Sequence, residues 1–109
     1  MLYYDGFTAG NKDYKLRINI RSTVTLEKKI GGNPLSIFGA AGDKLPTIET
    51  MVTILHCALQ QYHHGITFED AMDIFDTCLS EGHSTVEFIP MILEIYKVSG
   101  IIGDTEKNV

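Results

Sequence analysis

The chain has 109 residues, of which 44% are hydrophobic, and it carries a formal net charge of −5. This length and composition favour one globular domain with a single core, and the acidic balance argues against nucleic-acid binding, which requires a basic patch. No apolar run approaches the roughly 18 residues of a membrane span, and the first residues lack the basic and apolar segments of a secretion signal.

An alternating segment near the N-terminus predicts a β-strand with one buried face. The apolar side chains of this face are those of Tyr14, Leu16, Ile18 and Ile20. Alternation of this kind is the period of a strand, and the backbone groups of a strand need a neighbour. Residues 2–4 are the nearest candidate, with residues 5–13 as a polar connection. A partner strand from another subunit is the alternative.

The next segment predicts a short helix and then a one-turn helix. Ser22 or Thr23 is expected to cap the short helix, and Gly31 is expected to end it. Asn33 and Pro34 favour a second start, because proline fits the first helical position, where no N–H is required. The apolar side chains expected to pack from these two helices are Val24, Leu26, Ile30, Leu35 and Phe38.

Three longer helices are predicted after a loop at residues 39–44. Thr47, Thr67 and Ser84 are expected to cap them, the last two in capping boxes. Gly65 is expected to provide a left-handed turn between the first two. The apolar positions of these two helices recur at steps of three and four. They are Ile48, Met51, Val52, Leu55, Ala58, Leu59 and Tyr62, and then Phe68, Ala71, Met72, Phe75 and Leu79.

The third long helix is apolar on nearly every side, and Pro90 within it predicts a kink or a delayed start. A helix of this kind lies at the centre of a core or is covered by another molecule. Both interpretations are open: a central helix of a compact domain, or a surface for subunit or client contact. The second predicts contact through Phe88, Met91, Ile92, Ile95, Val98, Ile101 and Ile102.

The elements together predict a mainly α fold of the α+β class. A small N-terminal antiparallel strand pair is followed by a short helix, a one-turn helix and three longer packed helices. We expect a single globular domain over residues 1–102 and a flexible polar tail over residues 103–109.

The residue types of metal binding and catalysis occur at unsuitable spacings. The metal-ligating types are His56, Cys57, His63, His64, Cys78 and His83, and they include no pair at ligand spacing. Cys57 and Cys78 are expected to be reduced, part-buried thiols of a cytosolic protein. The carboxylates of Glu69, Asp73 and Asp76 share one helix face and are interpreted as solvated charge. The sequence therefore predicts no enzyme, no metal and no cofactor, and a helix-ending role for His64.

Three segments follow one another in an order that resembles a known family. They read YKLRINIRSTVTLEKKIGGNPL, LPTIETMVTILHCALQQYHHGITFEDAMDIFD and FIPMILEIYKVSGII. The shared features are a charged strand, L-E-K-x-x-G-x-N-P-L, L-H-x-x-L-Q, the turn H-G-I-T and F-I-P-x-I-L-E. Over roughly residues 14–102 the chain resembles the tail assembly chaperones of long-tailed phages and prophages of Gram-positive bacteria.

The resemblance implies a non-enzymatic role. Such chaperones bind the helical tape-measure protein in the host bacterial cytoplasm, keep it soluble before the tail tube polymerises, and are absent from the mature virion. Many are made in two lengths by ribosomal frameshifting, so a longer form of this chain is one implied partner. Many copies along one client would bind it by avidity, which predicts a homo-oligomer. The alternatives are a structural tail or head-tail connector subunit of the virion, and a small metal-dependent enzyme or regulator.

Overall fold

The computed structural model describes residues 2–103 and shows an α+β fold with an N-terminal strand pair, which confirms the predicted fold class. The strands are β1 (Tyr4–Ala9) and β2 (Lys12–Leu16), and the helices are α1 (Ile20–Ile30), α2 (Ile48–Leu59), α3 (Phe68–Ser80) and α4 (Phe88–Val98). Two 3-10 turns lie at Pro34–Phe38 and Thr85–Glu87. The predicted polar tail lies, from residue 104 onward, outside the described residues.

The two strands form an antiparallel hairpin within one chain, and the first strand is longer than predicted. Residues 5–13 were expected to be a connection, but β1 continues to Ala9 and only Gly10 and Asn11 make the turn. These two residues have φ values of 59° and 65°. Two successive positive φ values are typical of the type I′ turn, whose twist matches that of the flanking strands.

The second strand ends at Leu16, four residues before the predicted end, because the next two backbone amides bond elsewhere. The Arg17 N–H donates to the Ala58 carbonyl at 3.0 Å. The Ile18 N–H donates to Ser99 Oγ at 2.9 Å. These two bonds tie the end of the hairpin to α2 and to the residue that follows α4.

The first helix is capped by Asn19 rather than by Ser22 or Thr23. The Asn19 side chain accepts a hydrogen bond from the Ser22 N–H at 2.9 Å. The helix therefore begins at Ile20, which is 79% exposed, so the prediction that Ile20 belongs to the buried strand face is wrong. Val24 is exposed as well, although it was expected to pack. This helix was predicted to be shorter than the three later helices, but at 11 residues it is as long as α4.

Three other predicted helix starts are confirmed. Asn33 caps the first 3-10 turn, Thr47 caps α2, and Thr67 forms a capping box with Asp70 at the start of α3. Each is a short-range contact in which a side-chain oxygen accepts from a free backbone N–H.

The last helix begins late, as Pro90 predicted. The Ser84 N–H donates to the Glu87 carboxylate, but this contact opens a 3-10 turn, and α4 starts only at Phe88. Proline near the start of a helix is tolerated because the first N–H groups have no partner within the helix.

One core lies between the hairpin and the helices. The rings of Phe75 and Phe88 stack with centroids 4.2 Å apart, and the Phe7 ring meets Phe88 edge-on at 6.1 Å. The Tyr96 hydroxyl donates to the Pro34 carbonyl at 3.0 Å inside this core. Its largest fully buried side chains are Tyr96, Leu16, Ile18, Leu26, Ile54, Leu55, Leu59, Ile92, Ile95 and Cys57. Among residues 2–103, no helix has both the length and the apolar character needed to span a bilayer.

Three side chains that were expected to pack are exposed instead. Leu35 points to solvent, and Ile37 is buried from the same turn. Ile48 and Met72 are 50% and 43% exposed, although they belong to the predicted apolar stripes of α2 and α3. Their exposure leaves apolar surface on the outside of the molecule.

Candidate interaction surfaces

The last helix turns three of its predicted contact residues inward. Phe88, Ile92 and Ile95 are at most 4% exposed and belong to the core. We therefore correct the expected contact surface by removing these three, because folding of the single chain already covers them. The other predicted contact residues are partly buried: Met91, Val98, Ile101 and Ile102. Contact of these four with a partner stays a prediction.

A shallow apolar groove borders the other side of α4 and has a volume of about 400 Å³. Ile89 and Leu93, one helical turn apart, lie beside Phe38 and Leu45, and Leu45 is 65% exposed. Sequence reasoning placed no contact at this groove, although Ile89 and Leu93 share a helix side by their spacing of four. We call it the α4 groove, and its lining residues are Phe38, Gly42, Asp43, Lys44, Leu45, Ile89 and Leu93.

A larger apolar groove lies between α2 and α3 and has a volume of about 680 Å³. Buried Val52 and Phe75 contribute to it from the core, and half-exposed Ile48 and Met72 contribute from the surface. We call it the α2/α3 groove, and its lining residues are Ile48, Glu49, Val52, Phe68, Met72, Asp73, Phe75, Asp76 and Leu79.

The α2/α3 groove is lined by three carboxylates and, among the described residues, by no basic side chain. Glu49 comes from α2, and Asp73 and Asp76 come from α3; all three are exposed. Neither of the two ion pairs found within residues 2–103 involves them. Lys29 lines a neighbouring hollow that shares Glu49 with the groove. An apolar surface beside several negative charges favours a partner that is apolar and basic.

An exposed face of α1 has the opposite charge. Ile20 and Val24 lie one turn apart, and Arg21 and Lys28 are exposed next to them. At 3.6 residues per turn, these four side chains fall within about 100° of the helix circumference. We call this surface the α1 face: it combines two apolar side chains with two exposed cations, and partly buried Glu27 borders it on the side of Ile20.

The end of α2 and the start of α3 are joined at the Ile66 carbonyl. It accepts from His56 Nε2 at 3.1 Å and from the Gln60 side-chain amide at 2.9 Å. Gln60 also donates to the His56 carbonyl at 3.0 Å. Gln60 thus makes the helix-end contacts that were predicted for His64, which is exposed.

A second histidine contact joins β2 of the hairpin to the connection that follows α2. His63 Nε2 accepts from the Lys15 N–H at 2.9 Å, which requires a neutral ring. Burial lowers the pKa of His56 and of His63, and nearby lysines lower both pKa values further.

The cysteines and histidines are spread over the molecule. Cys57 and Cys78 are buried free thiols, and burial raises the pKa of each. Thiols of this kind react slowly, because the thiolate is the reactive form. Over the described part of the chain, no three His, Cys, Asp or Glu side chains are placed to share a metal ion.

Residues 5–109 match a family of unknown function, DUF6096. The chain belongs to the DUF6096 family. It matches no curated protein and no solved structure. The family description assigns no activity to DUF6096 proteins and does not address the likeness to tail assembly chaperones.

Proposed function

We propose that this DUF6096 protein is a phage tail assembly chaperone that binds the tape-measure protein without catalysing a reaction. The ordered segments over residues 14–102 supply the likeness to that family. The structural observation that carries the proposal is the α4 groove, an open apolar surface beside the side of α4 that packs in the core. An apolar groove along a helix is a surface at which an amphipathic helix of a partner can dock.

The α4 groove suits the apolar stripe of a helical client. Ile89 and Leu93 repeat at one helical turn, so side chains at steps of three and four on a client helix would lie between them and Leu45. The loop beside them supplies one carboxylate and one ammonium group, from Asp43 and Lys44, so the groove has no strong preference for charge. A shallow site makes weak single contacts, and many copies along one client then hold it reversibly.

The rest of the proposal follows from this role. The chaperone acts in the cytoplasm of the host bacterium and leaves before the virion is complete. A frameshift-extended form of the chain is a second partner. No nucleic acid or membrane takes part.

The test is co-expression with the tape-measure protein of the same phage or prophage. We expect more soluble client and co-purification of the two proteins. Leu93→Glu should abolish both, because it places a charge in the apolar wall of the α4 groove. Val86→Glu is the matched control, because Val86 is 61% exposed and lies outside both grooves.

Two results would contradict the proposal. One is an insoluble client that never co-purifies with the wild-type chain. The other is the presence of the chain in purified phage particles, detected by mass spectrometry, which would favour the structural tail or connector subunit instead.

A further inference from the structure

We propose that the α2/α3 groove of one copy binds the α1 face of a second copy. This self-association is a separate inference from client binding, because it uses neither the α4 groove nor the tape-measure protein. It rests on two described surfaces that match in both apolar character and charge.

The α2/α3 groove defines what its occupant must offer. Ile48 and Met72 leave about half of their side chains in water, and a partner that covers them gains hydrophobic free energy. Asp73 and Asp76 lie one turn apart along α3, with Glu49 on the facing helix. An occupant therefore needs apolar side chains with cations close by, arranged along a helix.

The α1 face offers this arrangement. Ile20 and Val24 belong to the exposed large apolar side chains of the described residues, and their exposed fractions are 79% and 46%. Arg21 and Lys28 flank them and form no ion pair within residues 2–103. Docking would cover two exposed apolar residues on each side and bring the two cations to the three carboxylates.

The two surfaces can be used by one copy at the same time. Helix α1 packs against α2 through its opposite side, where Leu26 is fully buried. Each copy can therefore bind one neighbour at its groove and another at its α1 face, which builds a ring or an open chain of copies. If two copies make the contact reciprocally, it builds a closed two-fold dimer instead.

Charge reversal tests the pairing by sedimentation velocity of the purified chain at concentrations up to about 1 mM, where weak contacts are populated. We expect concentration-dependent association that declines as salt is raised. Arg21→Glu with Lys28→Glu, and separately Asp73→Lys with Asp76→Lys, should each weaken it about tenfold. An equimolar mixture of the two double variants should associate again, because each then meets an oppositely charged surface.

Val24→Glu and Met72→Glu test the apolar part of the same contact, and Val86→Glu is the control that should associate like wild type. Circular dichroism identifies any variant that fails to fold. The variants that do fold then show whether the α2/α3 groove and the α1 face are needed for association. The proposal is overturned if the wild-type chain stays monomeric over the whole range, or if the two double variants do not restore association when mixed. It is equally overturned if only Leu93→Glu disperses the assembly, because the α4 groove would then be the self-association surface.

Discussion

Gly65 shows how a single backbone conformation fixes a residue type. Its φ is 96°, and a Cβ atom built there would meet no other atom within 4 Å. The requirement for glycine therefore comes from the left-handed backbone and not from crowding. We expect Gly65→Val to lower the free energy of unfolding by about 1 kcal/mol or more, and Gly65→Asn to lower it less, because asparagine tolerates positive φ. Equal stability of the two variants in urea denaturation would contradict this.

His56 and His63 make stability depend on pH. Protonation of His63 would remove the acceptor for the Lys15 N–H, and protonation of His56 would place a proton on Nδ1, a buried atom without a partner among the described residues. Their folded-state pKa values lie below the ordinary 6.5. As pH falls, the unfolded chain therefore binds protons first, so stability is complete above about pH 6.5 and declines from there toward the lowered pKa values.

The measurement is the urea midpoint of unfolding at a series of pH values from about 8 to 5. We expect the urea concentration at the midpoint to decrease once the pH is lowered below about 6.5. His63→Gln should flatten the profile, because glutamine can accept the same hydrogen bond without titrating. His64→Gln should leave the profile unchanged, because His64 is exposed. A wild-type midpoint that does not change over this range would refute the assignment.

Among the elements, α4 is fixed by a hydrogen bond deep in the core. The Tyr96 hydroxyl is fully buried, its pKa is raised by that burial, and it donates to the Pro34 carbonyl of the first 3-10 turn. Tyr96→Phe removes this hydrogen bond from the core, so we expect a loss of about 1 kcal/mol in the free energy of unfolding. Tyr62→Phe, at a partly exposed tyrosine, is the control and should change stability by less than about 0.5 kcal/mol. Similar losses in the two variants would argue against a specific role for this bond.

Helix caps were predictable from the sequence where the contact is local. Thr47 and Thr67 lie three residues before their partners, and each was the natural candidate at its position. At α1 only Ser22 and Thr23 were expected to cap, although Asn19 is a residue of the same capping type. The choice among them depends on the Arg17 and Ile18 amides, which bond to distant parts of the chain and so leave Asn19 at the helix start.

The hairpin carried a local signal that the prediction missed. Gly10 and Asn11 are the type of pair that favours a two-residue turn, and β1 and β2 meet at it. The strand β1 was not recognised in the sequence because most residues before the turn are polar, and only Phe7 and Ala9 of its second half are buried. A strand with so few apolar residues gives a weak periodic signal.

For the molecule as a whole, this missed strand explains why the contact surface was wrong in part. One of the two open interpretations of α4 gave part of its apolar surface to a subunit or client. Phe7, from the supposed connection, meets Phe88, and Phe75 stacks on the same ring, so the hairpin and α3 supply the missing cover. Which side of an all-apolar helix stays open depends on long-range packing, and periodicity within the helix carries no information about it.

Contacts between the first and last described elements affect how the chain folds during synthesis. Phe7 and Ile18 leave the ribosome early, yet their partners Phe88 and Ser99 are about 80 residues further along the chain. A two-stranded hairpin is marginally stable alone. Until α4 has emerged, the nascent chain therefore exposes the apolar side chains of its unfinished core, and Phe7 stays without the ring that later packs against it.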